Sequence, residues 1–154
     1  MKIFYYGLMG TSHAQELTKK VCDVLGYGKN ETAPALLLET ASAETQLGQY
    51  KDNYDANGHG LCQIDKVAFY DIQHRTKRKH RLALLNGLGV NIWEVKPEDL
   101  DDSPLLSMIF CRLKYKLIPE EIPEDLEGRA NYWKQYYNTQ AGKGTPEHYI
   151  ESAM

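Results

Sequence analysis

Apolar residues recur at helical spacing between cap residues through nearly all of the chain, and the period is lost between Gly48 and Gly60. A 3.6-residue period commits a segment to burying one face as a helix and is incompatible with the two-residue alternation of a half-buried strand. Ser12-His13-Ala14-Gln15 has capping-box form, and Ala14, Leu17, Val21 and Val24 or Leu25 follow until Gly26 and Gly28, so a first helix is expected over about 13 to 25. Thr32, with Pro34 in the first turn, opens a second through Leu36, Leu37, Leu38 and Ala41 towards Thr45. Gly, Asn, Asp and Tyr then dominate, which suits an irregular loop or small hairpin. Helical patterning resumes at Lys66, with room for a break near the basic run, and ends at Asn86-Gly87 or Gly89. Ser103-Pro104 starts the next helix, and Leu126, Ala130, Trp133 and Tyr137 give a late one an aromatic face. Thr145-Pro146 opens a last short one. The sequence predicts one mainly α domain spanning 1–154, of about six helices, with a small irregular or β-hairpin insertion after the second.

At 154 residues the chain is long enough for one core, and no apolar run approaches the roughly 18 residues of a membrane span. The stretch Met1 to Gly10 does not read as a signal peptide, because its short apolar run holds two tyrosines and lacks a small-residue cleavage site. Cys22, Cys62 and Cys111 are odd in number and widely spaced, which fits buried thiols made in a reducing compartment better than a disulfide framework or a zinc site. A net charge of −3 gives no global reason to bind nucleic acid. Locally, Arg75-Thr-Lys-Arg-Lys-His-Arg81 is strongly basic but has no interleaved aromatics, so it reads as a solvated helix face, or alternatively as a patch drawn to an anionic cell envelope.

On a wheel of 100° per residue centred on Leu37, Thr40 lies at about −60°, Ala41 at about +40° and Glu44 at about −20°, while Glu39 lies at about 200°. Glu44 therefore continues the apolar stripe, and Glu39 is expected to be the solvated one. A carboxyl on an apolar face loses solvation of its charged form, so its pKa rises and it keeps a proton to donate near neutral pH. A helix-end glutamate that reaches water or a loop amide is the bland alternative.

Downstream of Glu44-Thr45 and Gly48 comes Gly58-His-Gly-Leu-Cys-Gln-Ile-Asp65. These elements resemble goose-type lysozymes and lytic transglycosylases, which carry a catalytic Glu followed by Ser or Thr at a helix end and then a Gly-Leu-Met-Gln-Ile/Val signature, closed in the goose type by Asp. Here Cys62 stands in place of Met. Tyr136-Tyr137-Asn138, followed by Gly142-Lys143-Gly144, looks like the Ala-Tyr-Asn-Ala-Gly element of the same families, whose Tyr faces the catalytic Glu. The likeness covers residues 33–70 well and 105–145 in outline, and residues 71–104 have no counterpart.

The resemblance implies a lysozyme-like fold and a muramidase that cleaves the β-1,4 bond between N-acetylmuramic acid and N-acetylglucosamine, with Glu44 as acid. An inverting hydrolase also needs a carboxylate about 6.5 to 9.5 Å away to activate water, and Asp55 and Asp65 are the candidates. Asp52 reads as a turn former, and Asp55 is displaced by one from the family's loop aspartate. Lytic transglycosylases use the muramic acid's own hydroxyl instead and leave 1,6-anhydro ends. Thr45, His59, Gly60, Gln63, Tyr137 and Asn138 are the candidate substrate contacts: Gly58 and Gly60 would let a glycan approach the backbone, Gln63 offers amide donor and acceptor, and Tyr137 extends a hydroxyl from a partly buried ring. His59 is expected as an exposed side chain beside the cleft, able to contact a sugar. Each has a structural alternative as a loop brace or core residue. No cofactor and no metal are expected, since the five histidines form no His-x-x-x-His or His-Glu pattern. The expected partner is the peptidoglycan glycan strand, without nucleic acid or membrane insertion. Size and N-terminus point to a bacteriophage lysin, or to a virion component that works with other virion proteins and acts at the cell wall. A lysozyme-like domain that no longer cuts is the non-enzymatic rival.

Overall fold

The structure, a computed structural model, describes residues 2–51, 57–138 and 144–154. Among these are seven α-helices and one short hairpin: α1 (Thr11–Leu25), α2 (Thr32–Thr45), β1 (Gly58–His59), β2 (Ile64–Asp65), α3 (Lys66–Arg75), α4 (Arg78–Leu88), α5 (Pro104–Lys116), α6 (Leu126–Trp133) and α7 (Pro146–Ala153). Single 3-10 turns occupy Lys29–Glu31, Ile92–Glu94 and Pro97–Asp101, and a π turn, Lys134–Asn138, continues α6. The strands are antiparallel, Gly58 opposite Asp65 and His59 opposite Ile64. The fold is therefore mainly α with a small hairpin after the second helix, as the periodicity and its interruption predict. No helix among the described residues is long and apolar enough to cross a membrane.

Two helix starts follow the cap chemistry read in the sequence, whereas α2 begins after Glu31 with no side-chain cap. Ser103 accepts from the Leu106 amide at 3.1 Å and Thr145 from that of His148 at 3.1 Å, with Pro104 and Pro146 supplying the first helical residue, where no amide hydrogen is needed. Gly89 ends α4 in the left-handed region, with φ 67°. The start of α1 departs from expectation. Ser12 forms no capping box: the helix begins at Thr11 after Gly10 with no side-chain cap, and the Met9 amide instead donates to His13 Nδ1 at 3.1 Å.

The pattern from 66 to 89 is two helices and not one. Thr76 is extended and buried, with its hydroxyl donating to the Ile72 carbonyl at 2.6 Å, and Lys77 is extended too. The basic run thus straddles a corner between α3 and α4, with Arg75, Lys77, Arg78 and Lys79 exposed.

Helix α2 is central, packed by α1, α5 and α7. It has no true solvent face, and this overturns the expectation for Glu39. That carboxylate accepts two bonds from Arg129, at 2.7 and 3.0 Å, and one from the Tyr149 hydroxyl at 2.8 Å. Only 15% of its side chain is exposed. The wheel placed Glu39 correctly opposite Leu37, but α6 and α7 cover that side. A partner able to meet a carboxylate, Arg129, is what makes its burial tolerable.

Residues 92–101, without a counterpart in the motif comparison, form a belt beneath the hairpin. Gln73 Nε2 donates to the carbonyls of Ile92 and Val95, at 2.7 and 3.1 Å, and the Ser107 hydroxyl donates to that of Leu100 at 2.9 Å. Ile92 and Leu100 are buried in the common core. This belt delivers Asp101 to the hairpin.

Candidate active site

The end of α2 fixes where Glu44 points. Gln46, Leu47 and Gly48 are all left-handed, with φ of 50°, 53° and 79°, and the Leu47 amide reaches back to the Ala41 carbonyl at 3.1 Å. Thr45 is the clamp between this reversal and the hairpin turn. Its buried hydroxyl meets the carbonyls of Leu61 and Ala41, at 2.8 and 3.1 Å, and accepts from the Gly48 amide at 3.0 Å. The two motif elements, Glu44-Thr45…Gly48 and Gly60…Asp65, are thereby one physical unit. Thr45 uses its polar atom inside the fold and has none to offer a sugar.

Glu44 itself is half-buried and, among the described residues, accepts a hydrogen bond from Trp133 Nε1 at 3.1 Å to Oε2. Burial pushes its carboxyl up from an ordinary 4.5 to about 7, and the Trp133 bond and the cation of Lys114 pull it partly back. Close to neutral pH such a group is about half protonated and has an O–H to donate. The aromatic wall around it is tightly built. Trp133 is buried, tilted against Tyr149 with ring centroids 5.3 Å apart. Gly144 lies flush on its ring: a Cβ there would sit 2.4 Å from Trp133 Cη2 and 3.1 Å from Asn138 Nδ2. Asn138 is half-buried and accepts from Lys134 Nζ at 2.9 Å through Oδ1, beside the indole.

Lys114 stands over the Tyr137 ring, 3.9 Å from its centroid, and donates to the Tyr137 carbonyl at 3.1 Å. Burial holds its ammonium below the usual lysine range. Tyr137 is buried and stacked on Tyr115 at 5.1 Å, and its hydroxyl donates to the Cys62 carbonyl. The expectation that this hydroxyl reaches into a cleft is corrected: Tyr137 is a brace that holds the hairpin turn to the π turn after α6.

The remaining candidates also brace. Gln63, left-handed with φ 51°, donates through Nε2 to the Gly60 carbonyl at 2.9 Å and the Tyr6 hydroxyl at 3.3 Å. The side chain lies over Gly58, where a Cβ would come within 2.4 Å of Gln63 Oε1. Gly60 is buried with φ +75°, and a Cβ there would lie 2.2 Å from Ser107 Oγ and 2.5 Å from the Leu100 carbonyl. These glycines are needed because the protein's own atoms approach them, which replaces the reason first assigned, room for a glycan. His59, expected exposed, is buried, with Nδ1 2.9 Å from Asp101 Oδ2, while the other Asp101 oxygen accepts from the Gly60 amide at 2.9 Å. Its Nε2 is buried with no hydrogen-bond partner among the described residues.

Asp65 is exposed and caps α3, accepting from the Ala68 amide at 2.7 Å. Asp52, Asp55, Gly142 and Lys143 lie outside the described residues. The three cysteines are buried free thiols, as expected, yet the fold brings two of them together: the Cys62 thiol bonds to that of Cys111, and this contact and burial raise its pKa.

Trp133, Lys114 and Asp101 were not singled out from the sequence as site residues. Trp133 had a legible signal, since it shares the late helix's apolar face and a buried indole N–H seeks an acceptor. Lys114 and Asp101 had none, because each meets its partner across more than 20 residues of chain. Compared with known protein families, curated proteins and solved structures, the chain matches none.

Proposed function

We propose that the protein is a peptidoglycan-cleaving glycosidase in which Glu44 protonates the leaving oxygen of the β-1,4 bond between N-acetylmuramic acid and N-acetylglucosamine. The observation that carries this reading is the state of Glu44: a half-buried carboxyl raised to about 7 and held by the Trp133 indole N–H. A glycosidase acid must hold a proton at working pH and release it to a poor leaving group, and a pKa near that pH serves both needs. The motif resemblance supplies the substrate class. Lys114, within electrostatic reach but not bonded to Glu44, would stabilise the carboxylate left after proton transfer.

One observation bears on the choice between the hydrolytic and transglycosylase routes, and it concerns Asp65 alone, since Asp55 lies outside the described residues. Asp65 Oδ1 is engaged in capping α3, which leaves that residue a less free base for water than the motif alone implies. The route through the muramic acid's own hydroxyl requires no second carboxylate. In this reading Thr45, Gly60, Gln63 and Tyr137 hold the wall of the site, and the half-buried Asn138 would be the side chain to meet a sugar.

Glu44→Gln is expected to abolish clearing of purified peptidoglycan while the protein stays folded by circular dichroism. Mass spectrometry of released muropeptides separates the routes: anhydro ends mean transglycosylation and reducing ends hydrolysis. No release by the unaltered protein would leave a non-cleaving, glycan-binding or structural domain of a virion and overturn the proposal.

A further inference from the structure

The basic run has a structural setting that a solvated helix face does not explain. At the α3–α4 corner, a cavity of about 280 Å³ is lined by Arg75, Lys77, His80 and Lys116, with Leu113, Leu117 and Pro119 as its apolar wall. Lys114 and Lys116 are two positions apart on α5 and so project about 200° apart, which puts this cavity and Glu44 on different faces of that helix.

The charges here are poorly compensated. Asp71 pairs with Arg75 at 3.1 Å, and Lys116 Nζ donates to the Leu25 carbonyl at 2.9 Å, beside Arg112 Nε on the Gly26 carbonyl. Those contacts occupy one side of Arg75 and one of the three donors of Lys116. Lys77 and half-buried His80 have no carboxylate within ion-pair distance among the described residues. The consequence is visible in the acidity of His80 and Lys116. Burial, then Lys116, Lys79, Lys77 and Arg112, push His80 down to about 4, and burial, then Arg112, Lys79 and Lys77, push Lys116 down to about 8. Cations gathered in a partly desolvated recess repel one another, and a bound anion relieves that repulsion.

We propose that this cavity is a binding site for a phosphate ester of a small polyol or sugar, separate from the Glu44 site and independent of what Glu44 does. The cations of Arg75, Lys77 and Lys116, with His80 as a neutral N–H donor, favour a phosphate over a singly charged carboxylate. The apolar wall of Leu113, Leu117 and Pro119 suits the C–H face of a short polyol. A short, half-open recess without an aromatic platform suits a single ester group better than a nucleic-acid strand, which needs a long track and stacking surfaces.

The test is titration of the full chain, by calorimetry or amide chemical shifts, with glycerol 1-phosphate, a short poly(glycerol phosphate), inorganic phosphate, glycerol, acetate and a single-stranded oligonucleotide. Saturable binding of one or both glycerol phosphates is expected, tighter than inorganic phosphate, with glycerol and acetate silent at the same concentrations. Preference for the monoester would assign a free metabolite and preference for the chain a polymer, and either supports the site. Lys77→Glu, at an exposed position whose side chain caps nothing, should weaken binding at least tenfold, whereas Lys2→Glu, an equal charge change elsewhere, should stay within twofold. Glu44→Gln should bind like the unaltered protein, so failure of the glycosidase reading and failure of this one are distinguishable. No saturable binding, equal losses in both lysine variants, or tighter binding of the oligonucleotide than of either glycerol phosphate would overturn the proposal.

Discussion

At the scale of single residues, Glu44 illustrates how one hydrogen bond tunes a buried acid. Burial raises its pKa and the indole of Trp133 opposes that rise by stabilising the ionised form. Trp133→Phe removes the donor and keeps most of the ring, so the carboxyl should climb further above about 7. If Glu44 is the acid, the alkaline limb of the activity profile should move to higher pH in this variant, and a pH–rate series would show it. The same shift is a stability statement. Because Glu44's folded pKa lies above its unfolded one, the folded state holds more protons between about 4.5 and 7, and stability contributed by the protonated form is lost as pH rises through that window. Relative to Glu44→Gln, the unaltered protein should therefore lose roughly 1 to 3 kcal/mol between pH 4 and pH 8. Urea unfolding at the two pH values measures this, and a pH-independent difference would contradict the buried-acid assignment.

At the scale of elements, the reversal after α2 and the hairpin turn stabilise each other through shared polar atoms. Thr45→Val keeps the shape and removes the hydroxyl, leaving the Leu61 carbonyl and the Gly48 amide without that partner. A loss of about 2 to 4 kcal/mol is expected from two buried groups left unsatisfied, readable as a fall in thermal midpoint. Two glycines with similar backbone provide a second contrast. Gly60 and Gly89 have φ of +75° and +67°, but an added Cβ at Gly60 collides with Ser107 and the Leu100 carbonyl, while at Gly89 it meets nothing within 4 Å. Gly89→Ala should cost about 1 kcal/mol from backbone strain alone, and Gly60→Ala at least about 3 kcal/mol because packed backbone must also move. Much of this level was legible: the caps at Ser103 and Thr145, the span of α2 and the place of the hairpin. The split at Thr76 was not fully so, because a break in the backbone leaves the apolar period on both sides nearly in phase.

At the scale of the whole molecule, α6 and α7 are held to the central helix by one partly desolvated charge cluster. Arg129 and Glu39 have side chains 11% and 15% exposed, and Tyr149 adds a third bond. Glu39→Ala leaves the guanidinium covered and without its carboxylate, so a loss of about 3 to 5 kcal/mol is expected. The double replacement Glu39→Met with Arg129→Met should recover most of it, since the desolvated charge leaves along with its partner. Denaturant titrations of both variants test the coupling.

What the sequence determined by itself is local: helical period, the caps at Ser103 and Thr145, the polar interruption after the second helix and Glu44's place on an apolar stripe. Each depends on neighbours within a few positions, where backbone geometry is nearly fixed. Only the tertiary structure decided which polar groups are free. The wheel could not see α6 and α7 arriving to cover Glu39, nor the belt at 92–101 bringing Asp101 to His59, nor Cys62 accepting the Tyr137 hydroxyl through its carbonyl. Those pairings link residues tens of positions apart, and a side chain's function depends on whether its polar atoms are already occupied.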